Sequence, residues 1–338
     1  MGHSRGALAM RILLCHYNPS AGGGAESAVR DQRRALKLCG HEVEVEFSNP
    51  RRAWVRFRPD VVHFHTIHIG LGLDVLEWAQ TAHITHCMSL HDYWPFCRDR
   101  MLMMDGAMPG VNDRPCSAAT GVCDGQCTNG KEDSSVAALV NGTPTVTFSE
   151  YGADIFRRNG IRIDAVIPHG IDTDLFCPKG PLPVQPVVLT MSAWPSYNTK
   201  GLHVLRQACV KLGIRAQCIT GLTREQVPDQ LRKGNIFVFP STYQETWGLC
   251  LTEAMSTGLA CIASSVAGPR AQIRDGFNGR LVPPRNADAL AGALKELVDN
   301  RDERERLGAN ARAWALENAG LRRMGRDYTR FYEELLSK

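Results

Sequence analysis

The chain has 338 residues, of which 43% are hydrophobic and 22% charged. That composition is globular and excludes a largely disordered chain. The 39 Lys and Arg outnumber the 35 Asp and Glu by a net charge of +4, too thin an excess for a dedicated nucleic-acid binder. The length argues for two domains, each able to build a core without disulfide staples.

Residues 11–15 (RILLC) predict a short buried strand. This apolar run is too brief for an export signal, and no stretch of ~18 apolar residues offers a membrane span. A cytoplasmic chain is expected, with thiols reduced and most of the 12 cysteines acting as small buried hydrophobes. A glycine-rich loop, 20–25, precedes a helix over 26–39, with Ala28, Val29, Leu36 and Leu38 toward one face and Gly40 as its stop. Strands are predicted at 41–47, 59–65, 85–90, 143–149 and 165–167. Between the first two, Arg51–Arg58 reads as a solvated helix with two packed aromatics. His63, His65 and His68 read as a strand end lining a cleft.

Residues 97–133 break the rhythm and read as a long inserted loop. They hold Cys97, Cys116, Cys123 and Cys127. Four thiolates at that spacing leave three options open: a structural zinc, disulfides or free thiols. Four prolines within 177–186 mark a linker. A second series follows, with strands at 186–192, 215–220, 236–240 and 259–263. Helices are expected at 201–212, 223–233, 247–257, 287–299, 301–316 and 321–336. Strands alternating with helices in both halves predict parallel sheets with crossover helices.

Two strings resemble known chemical motifs and are set aside. Gly22-Gly23-Gly24 lacks the third glycine of a dinucleotide fingerprint, since position 27 is Ser27. Asp172-Thr173-Asp174 follows Gly170 and reads as a turn rather than a metal site.

The richest segment is 240–258 (PSTYQETWGLCLTEAMSTG). A buried strand delivers a loop carrying Glu245, then a helix starting near Trp247-Gly248. The first turn of a helix exposes unpaired N–H groups and a partial positive charge, which suits an anion. Gly248 allows close approach to the backbone. Glu253, further along, suits a ribose diol.

This segment resembles the E-x7-E region of glycosyltransferase family 4, the retaining nucleotide-sugar enzymes of the GT-B fold. The resemblance runs in order along the chain: Gly22-Gly23-Gly24-Ala25-Glu26, Leu90-His91-Asp92, Ser149-Glu150, Pro168 to Phe176, Lys200-Gly201, and Gly276 to Pro284. It implies an α/β chain with two Rossmann-like domains facing a cleft. An acceptor-side domain would cover 10–175 and a nucleotide-sugar domain 185–320, with 321–338 crossing back as a helix onto the first. It further implies that Glu245 meets the transferred sugar, with His91 at the reaction centre. Glu253 would hold the ribose, and Lys200 the diphosphate. Thr246, Trp247, Gly248 and Leu249 would form the donor loop, with Gly23 and Gly24 facing the diphosphate from the other domain.

The activity implied is metal-independent transfer, with retention, from a nucleoside-diphosphate sugar. UDP-sugar is favoured, and the acceptor is a hydroxyl of a glycan, lipid carrier or small metabolite. No catalytic cofactor, nucleic acid or membrane span is implied; peripheral membrane contact stays open. Two positions depart from the family pattern. Pro195 stands where an arginine is usual, and Ala271 where a glutamate is usual. They motivate a second reading, a non-catalytic nucleotide-sugar sensor or subunit. A third is a phosphorylase or epimerase on the same fold.

Overall fold

The computed structural model describes residues 9–17, 23–97, 134–192 and 198–338. The first half alternates β1 (Arg11–His16), α1 (Gly24–Leu38), β2 (Glu42–Glu46), α2 (Pro50–Phe57), β3 (Val61–His65), α3 (Asp74–Thr81), β4 (His86–Ser89), α4 (Ser134–Asn141), β5 (Thr145–Thr147), α5 (Glu150–Arg158) and β6 (Ala165–Val166). The second alternates β7 (Val188–Met191), α6 (Leu202–Leu212), β8 (Ala216–Ile219), α7 (Val227–Leu231), β9 (Ile236–Phe239), α8 (Leu249–Ser256), β10 (Ala260–Ser264), α9 (Ala267–Gln272) and β11 (Arg280–Val282). Three helices close the chain: α10 (Ala287–Asp299), α11 (Arg301–Asn318) and α12 (Leu321–Leu336).

The strands form two parallel sheets, ordered β2-β1-β3-β4-β5-β6 and β11-β10-β9-β7-β8. Both faces of each sheet are covered, as continuous apolar strands require. On β1, Leu13 and Cys15 join the core under α2, α3 and α5, while Ile12 and Leu14 face the core built by α1 and α12. On β9, Phe237 and Phe239 pack with α8, and Ile236 and Val238 with α6 and α10.

The last helix lies on the first sheet although it follows the second domain in sequence. Tyr328 and Tyr332 of α12 are fully buried among residues of β1, β3 and β4. Ile171 N–H donates to Ala319 C=O at 2.8 Å, where the two chain crossings meet. Arg323 donates to the carbonyls of Pro168 and His169 at 2.8 and 3.0 Å. Arg312 of α11 donates to those of Thr173, Phe176 and Ser256. Asp172 caps this connection through Oδ1, accepting from the N–H groups of Asp174 and Leu175 at 3.1 Å each. The Asp-x-Asp string is thus a turn, and no metal need be invoked for it.

Three elements differ from expectation. Helix α8 begins at Leu249, because Gly248 sits at φ +97 and cannot be a helical residue. Helix α7 is only five residues long. Residues 223–226 form a turn closed by Gln226 N–H on Thr223 C=O, and Pro228 follows. Strand β11 was not anticipated, since three residues including Arg280 carry too little pattern.

Candidate functional site

The polar residues of interest lie where both parallel sheets present the carboxyl ends of their strands, the usual place for a ligand crevice in such folds. From the second sheet come Lys200 after β7, Arg224 after β8, the 240–248 loop after β9 and Val266 after β10. From the first come His16 at the end of β1, His65 at the end of β3 and His91 after β4.

Lys200 is held by its neighbour. Gly201 has φ +67, and a Cβ there would stand 1.8 Å from Pro240 O. Only glycine lets this turn press against the end of β9, where Thr242 N–H donates to Thr199 C=O at 2.8 Å. Lys200 Nζ then reaches Glu245 Oε1 at 2.7 Å and Tyr243 O–H at 3.3 Å. Tyr243 O–H donates to Glu245 Oε2 at 2.6 Å. Burial, and then the Glu245 charge, push the Tyr243 phenol well above its ordinary value, so it stays a donor. Glu245 is 7% exposed with both oxygens engaged.

The 240–248 loop continues into the amino end of α8. Leu251 N–H already bonds Gly248 C=O, so the N–H groups of Leu249 and Cys250 lead the helix without an intrahelical acceptor, a setting that suits an anion. Trp247 does not offer its ring. The indole is 3% exposed, and its Nε1–H donates to Thr252 Oγ1 at 3.0 Å. Gln272 closes that network, accepting from Thr252 at 2.8 Å and donating to Trp247 C=O at 2.7 Å. The Trp247 indole thus ties the loop to α8, and its carbonyl ties the loop to α9. Beside Ala271, Gln272 is therefore the polar residue that α9 sends to this loop.

Glu253 lies one turn into α8, 3% exposed. Its Oε1 accepts from Arg224 Nη1 at 2.6 Å. The other guanidinium nitrogen, Nη2, donates to Asp31 Oδ2 on α1 of the first domain. Neither Arg224 nor Asp31 belongs to a motif, and neither was foreseen. Arg224 sits in a polar turn and Asp31 in an ordinary charged helix.

Gly23 and Gly24 begin α1. Gly24 is exposed, and a Cβ there would meet nothing within 4 Å.

The first-domain floor is a group of rings. His65 Nδ1 and His91 Nε2 are 3.0 Å apart. His169 stacks on Phe148 at 3.8 Å and lies 5.6 Å from His91. Burial, followed by the neighbouring histidines, holds His91 and His65 well below their usual values, so both are neutral. His63 departs from the expectation that it lines the cleft. It is fully buried, accepting from Tyr332 O–H at 2.6 Å through Nδ1 and meeting Ser89 Oγ at 2.9 Å through Nε2. Its role is to tie β3 and β4 to α12.

The two domains touch across the crevice. Thr246 O–H donates to His91 C=O at 2.8 Å, and Ser149 O–H to Thr246 C=O at 3.2 Å. The Arg270 guanidinium covers the Tyr151 ring at 4.2 Å.

Of the four cysteines singled out, Cys97 is buried in the first-domain core. Cys116, Cys123 and Cys127 lie outside the described residues. Among the described residues no group of three or more His, Cys, Asp or Glu is placed to hold a metal ion, and no helix is long and apolar enough to cross a membrane.

Residues 198–314 match the family model described as glycosyl transferases group 1. Curated relatives align over part of the chain. D-inositol 3-phosphate glycosyltransferase of Streptomyces coelicolor is 38% identical over 85 residues, 25% of this chain and 18% of that protein. Alpha-D-kanosaminyltransferase of Streptomyces kanamyceticus is 31% identical over 118 residues, 35% of this chain and 30% of that protein. The alignments thus span under a third of these relatives. Solved structures match over nearly the whole chain. Sucrose-phosphate synthase of Thermosynechococcus elongatus superposes with TM-score 0.73 at 18% identity, covering 97% of this chain and 99% of that one. Anabaena HepE in complex with UDP and glucose gives 0.70 at 18% identity, covering 96% and 99%. The architecture is GT-B, and the stretch 198–314 of its second half is what matches the group 1 glycosyl transferase model.

Proposed function

We propose that this chain transfers a sugar from a nucleoside-diphosphate sugar, a UDP-sugar by preference, to a hydroxyl acceptor. Configuration at the anomeric carbon is retained and no divalent metal takes part. One observation carries the reading: Lys200, Glu245 and the amino end of α8 converge at the strand ends of the second domain. The solved complex of HepE with UDP and glucose, on the same fold, supports the choice of base.

In this reading the diphosphate lies between Lys200 and the N–H groups of Leu249 and Cys250. As the bond from the anomeric carbon to the phosphate oxygen breaks, its electron pair goes to that oxygen. A cation and a helix start placed beforehand stabilise the charge where it develops. Glu245, relieved of Lys200 by the phosphates, keeps Tyr243 and turns an oxygen to the sugar hydroxyls. The sugar passes through an oxocarbenium-like state. The acceptor oxygen attacks from the face the phosphate leaves, and its proton goes to the departing phosphate oxygen. Glu253 takes the ribose diol. Neutral His91, with its carbonyl held by Thr246, bounds the reacting sugar on the first-domain side. The acceptor enters along the ring-lined floor, and the reaction belongs to the cytoplasm.

The test is a thermal-shift screen with UDP, GDP, ADP, TDP and their sugars, followed by transfer assays with EDTA present and proton NMR of the product anomer. Saturating donor at a hundred times its Kd stabilises by roughly 2.7 kcal/mol. An inverted product, or activity abolished by EDTA, would overturn the mechanism. Binding with neither transfer nor donor hydrolysis across many acceptors would favour a nucleotide-sugar-binding subunit instead.

A further inference from the structure

Arg224 joins three parts of the molecule that no local motif connects. Its side chain is 12% exposed, between Asp31 at 8% and Glu253 at 5%. Burial works against its charge, but Glu253 and Asp31 more than offset this and hold the guanidinium above its ordinary value. One nitrogen bonds Glu253 of α8 and the other bonds Asp31 of α1, so the flat fork of the guanidinium spans the crevice between the domains. The Phe176 ring lies under the guanidinium at 5.1 Å, at the connection between domains. A parallel ion pair, Arg34 with Asp172, ties the next turn of α1 to that same connection. Helix α1 therefore makes two charged contacts near the crevice, one with the connection at Asp172 and one with Arg224 of the second domain, and the latter is shared with Glu253.

We propose that Arg224 is a positioning residue that couples closure of the two domains to nucleotide binding, holding Glu253 by one edge only while Asp31 is within reach of its other edge. The proposal rests on the reading of Glu253 as the ribose carboxylate. In the closed arrangement the Asp31 carboxylate draws one side of the fork. Glu253 is then held through Oε1 alone, with Oε2 left to a diol. When the domains part, Arg224 loses Asp31 and is free to take both oxygens of Glu253, which masks the ribose site. Closure and a competent donor site thus arrive together. Asp31 touches neither sugar nor phosphate in this scheme; it acts through Arg224.

The experiment is a double-mutant cycle on UDP affinity by calorimetry, with Asp31→Asn, Arg224→Lys, Arg224→Met and Glu253→Ala, each checked for native circular dichroism. Asp31→Asn is expected to raise the UDP Kd about fivefold. Arg224→Met should raise it about tenfold, and adding Asp31→Asn to Arg224→Met should cost nothing more, because the coupling runs through the guanidinium. Arg224→Lys should recover little, since an ammonium is a point charge and cannot fork. Small-angle scattering of the ligand-free chain should show a larger radius for Asp31→Asn and Arg224→Met than for wild type, a readout that does not depend on the identity of the nucleotide. If Glu253→Ala abolishes UDP binding while Asp31→Asn and Arg224→Lys bind as wild type does, the coupling is wrong and the donor site stands. If Glu253→Ala itself leaves UDP affinity unchanged, the donor-site reading fails and the proposal falls with it. Additive losses for Asp31→Asn and Arg224→Met would also overturn it, by showing two independent structural contacts.

Discussion

The two domains face the crevice with different chemistry. The second presents charges in pairs: Lys200 on Glu245, and Arg224 on Glu253. The first presents rings, with His65, His91, His169 and Phe148 packed on one another and the histidines kept neutral by burial. A leaving diphosphate needs fixed positive charge, which only specific residues at specific spacings supply. A sugar hydroxyl needs shape and hydrogen bonds, which many ring arrangements can provide. The contrast predicts that substitutions in the second domain act on the leaving group and the nucleotide, whereas those among the rings of the first act on packing, acceptor fit and, at His91, the wall against the reacting sugar, without touching nucleotide affinity.

The largest effect is expected for Glu245→Ala. Transfer should fall about a thousandfold, roughly 4 kcal/mol of transition-state stabilisation, with UDP affinity nearly unchanged. His91→Ala should lower kcat about a hundredfold and also leave UDP affinity intact. Steady-state kinetics beside calorimetry separates the two terms. Equal loss of UDP affinity in both variants would erase the division between charge-bearing and ring-bearing sides.

Next comes Gly201→Ala. The added Cβ meets Pro240 O in a left-handed conformation, so the chain should lose about 3 kcal/mol of stability in urea, together with the Lys200 placement. A variant as stable as wild type would show that the turn is not pressed on β9.

Tyr332→Phe tests the other side of the comparison. It strips a hydroxyl that serves His63 at 2.6 Å and Gln32 at 3.0 Å in a fully buried place. The cost should be about 1–3 kcal/mol, with kcat/KM of the surviving folded enzyme little changed. A drop in kcat at unchanged stability would mean that the last helix takes part in the chemistry.

The same contrast explains what could be read from the sequence. Parallel sheets and two domains were visible because β1 and β9 are unbroken apolar runs between helical stretches. The Lys200–Glu245 pair and the start of α8 could be located in the sequence because Lys200-Gly201 and the 240–253 stretch carry the glycine, lysine and glutamate spacing that the family resemblance rests on. Tyr243 lay within that span yet carried no separate signal, since a tyrosine beside a glutamate is usually just a neighbour. Asp31, Arg224 and Gln272 were not visible. Their partners come from elements 20 to 193 residues away, and a polar residue on a charged helix shows its role only after the domains meet. His63 was misjudged for a related reason. In VVHFH every position is buried, so alternation could not say which histidine faces the crevice and which faces α12.

The smallest effect concerns pH and returns to the contact between the domains. Burial raises the Asp31 carboxyl to about 7; Arg224 and Arg34 oppose the rise, while Glu253 and Asp172 add to it. The folded chain therefore holds this proton more tightly than the unfolded chain, whose aspartate titrates near 3.8. The stability tied to that proton is fully present below the unfolded value and is lost as pH climbs toward 7. Above 7 the carboxylate is charged and the pairing with Arg224 is at full strength, but Asp31 gains nothing further from pH. Urea midpoints of wild type and Asp31→Asn should then converge or cross as pH rises from about 4 to 7, with wild type losing more across that window. Equal slopes would show that the folded chain holds the Asp31 proton no more tightly than the unfolded chain, so that the pairing with Arg224 outweighs burial.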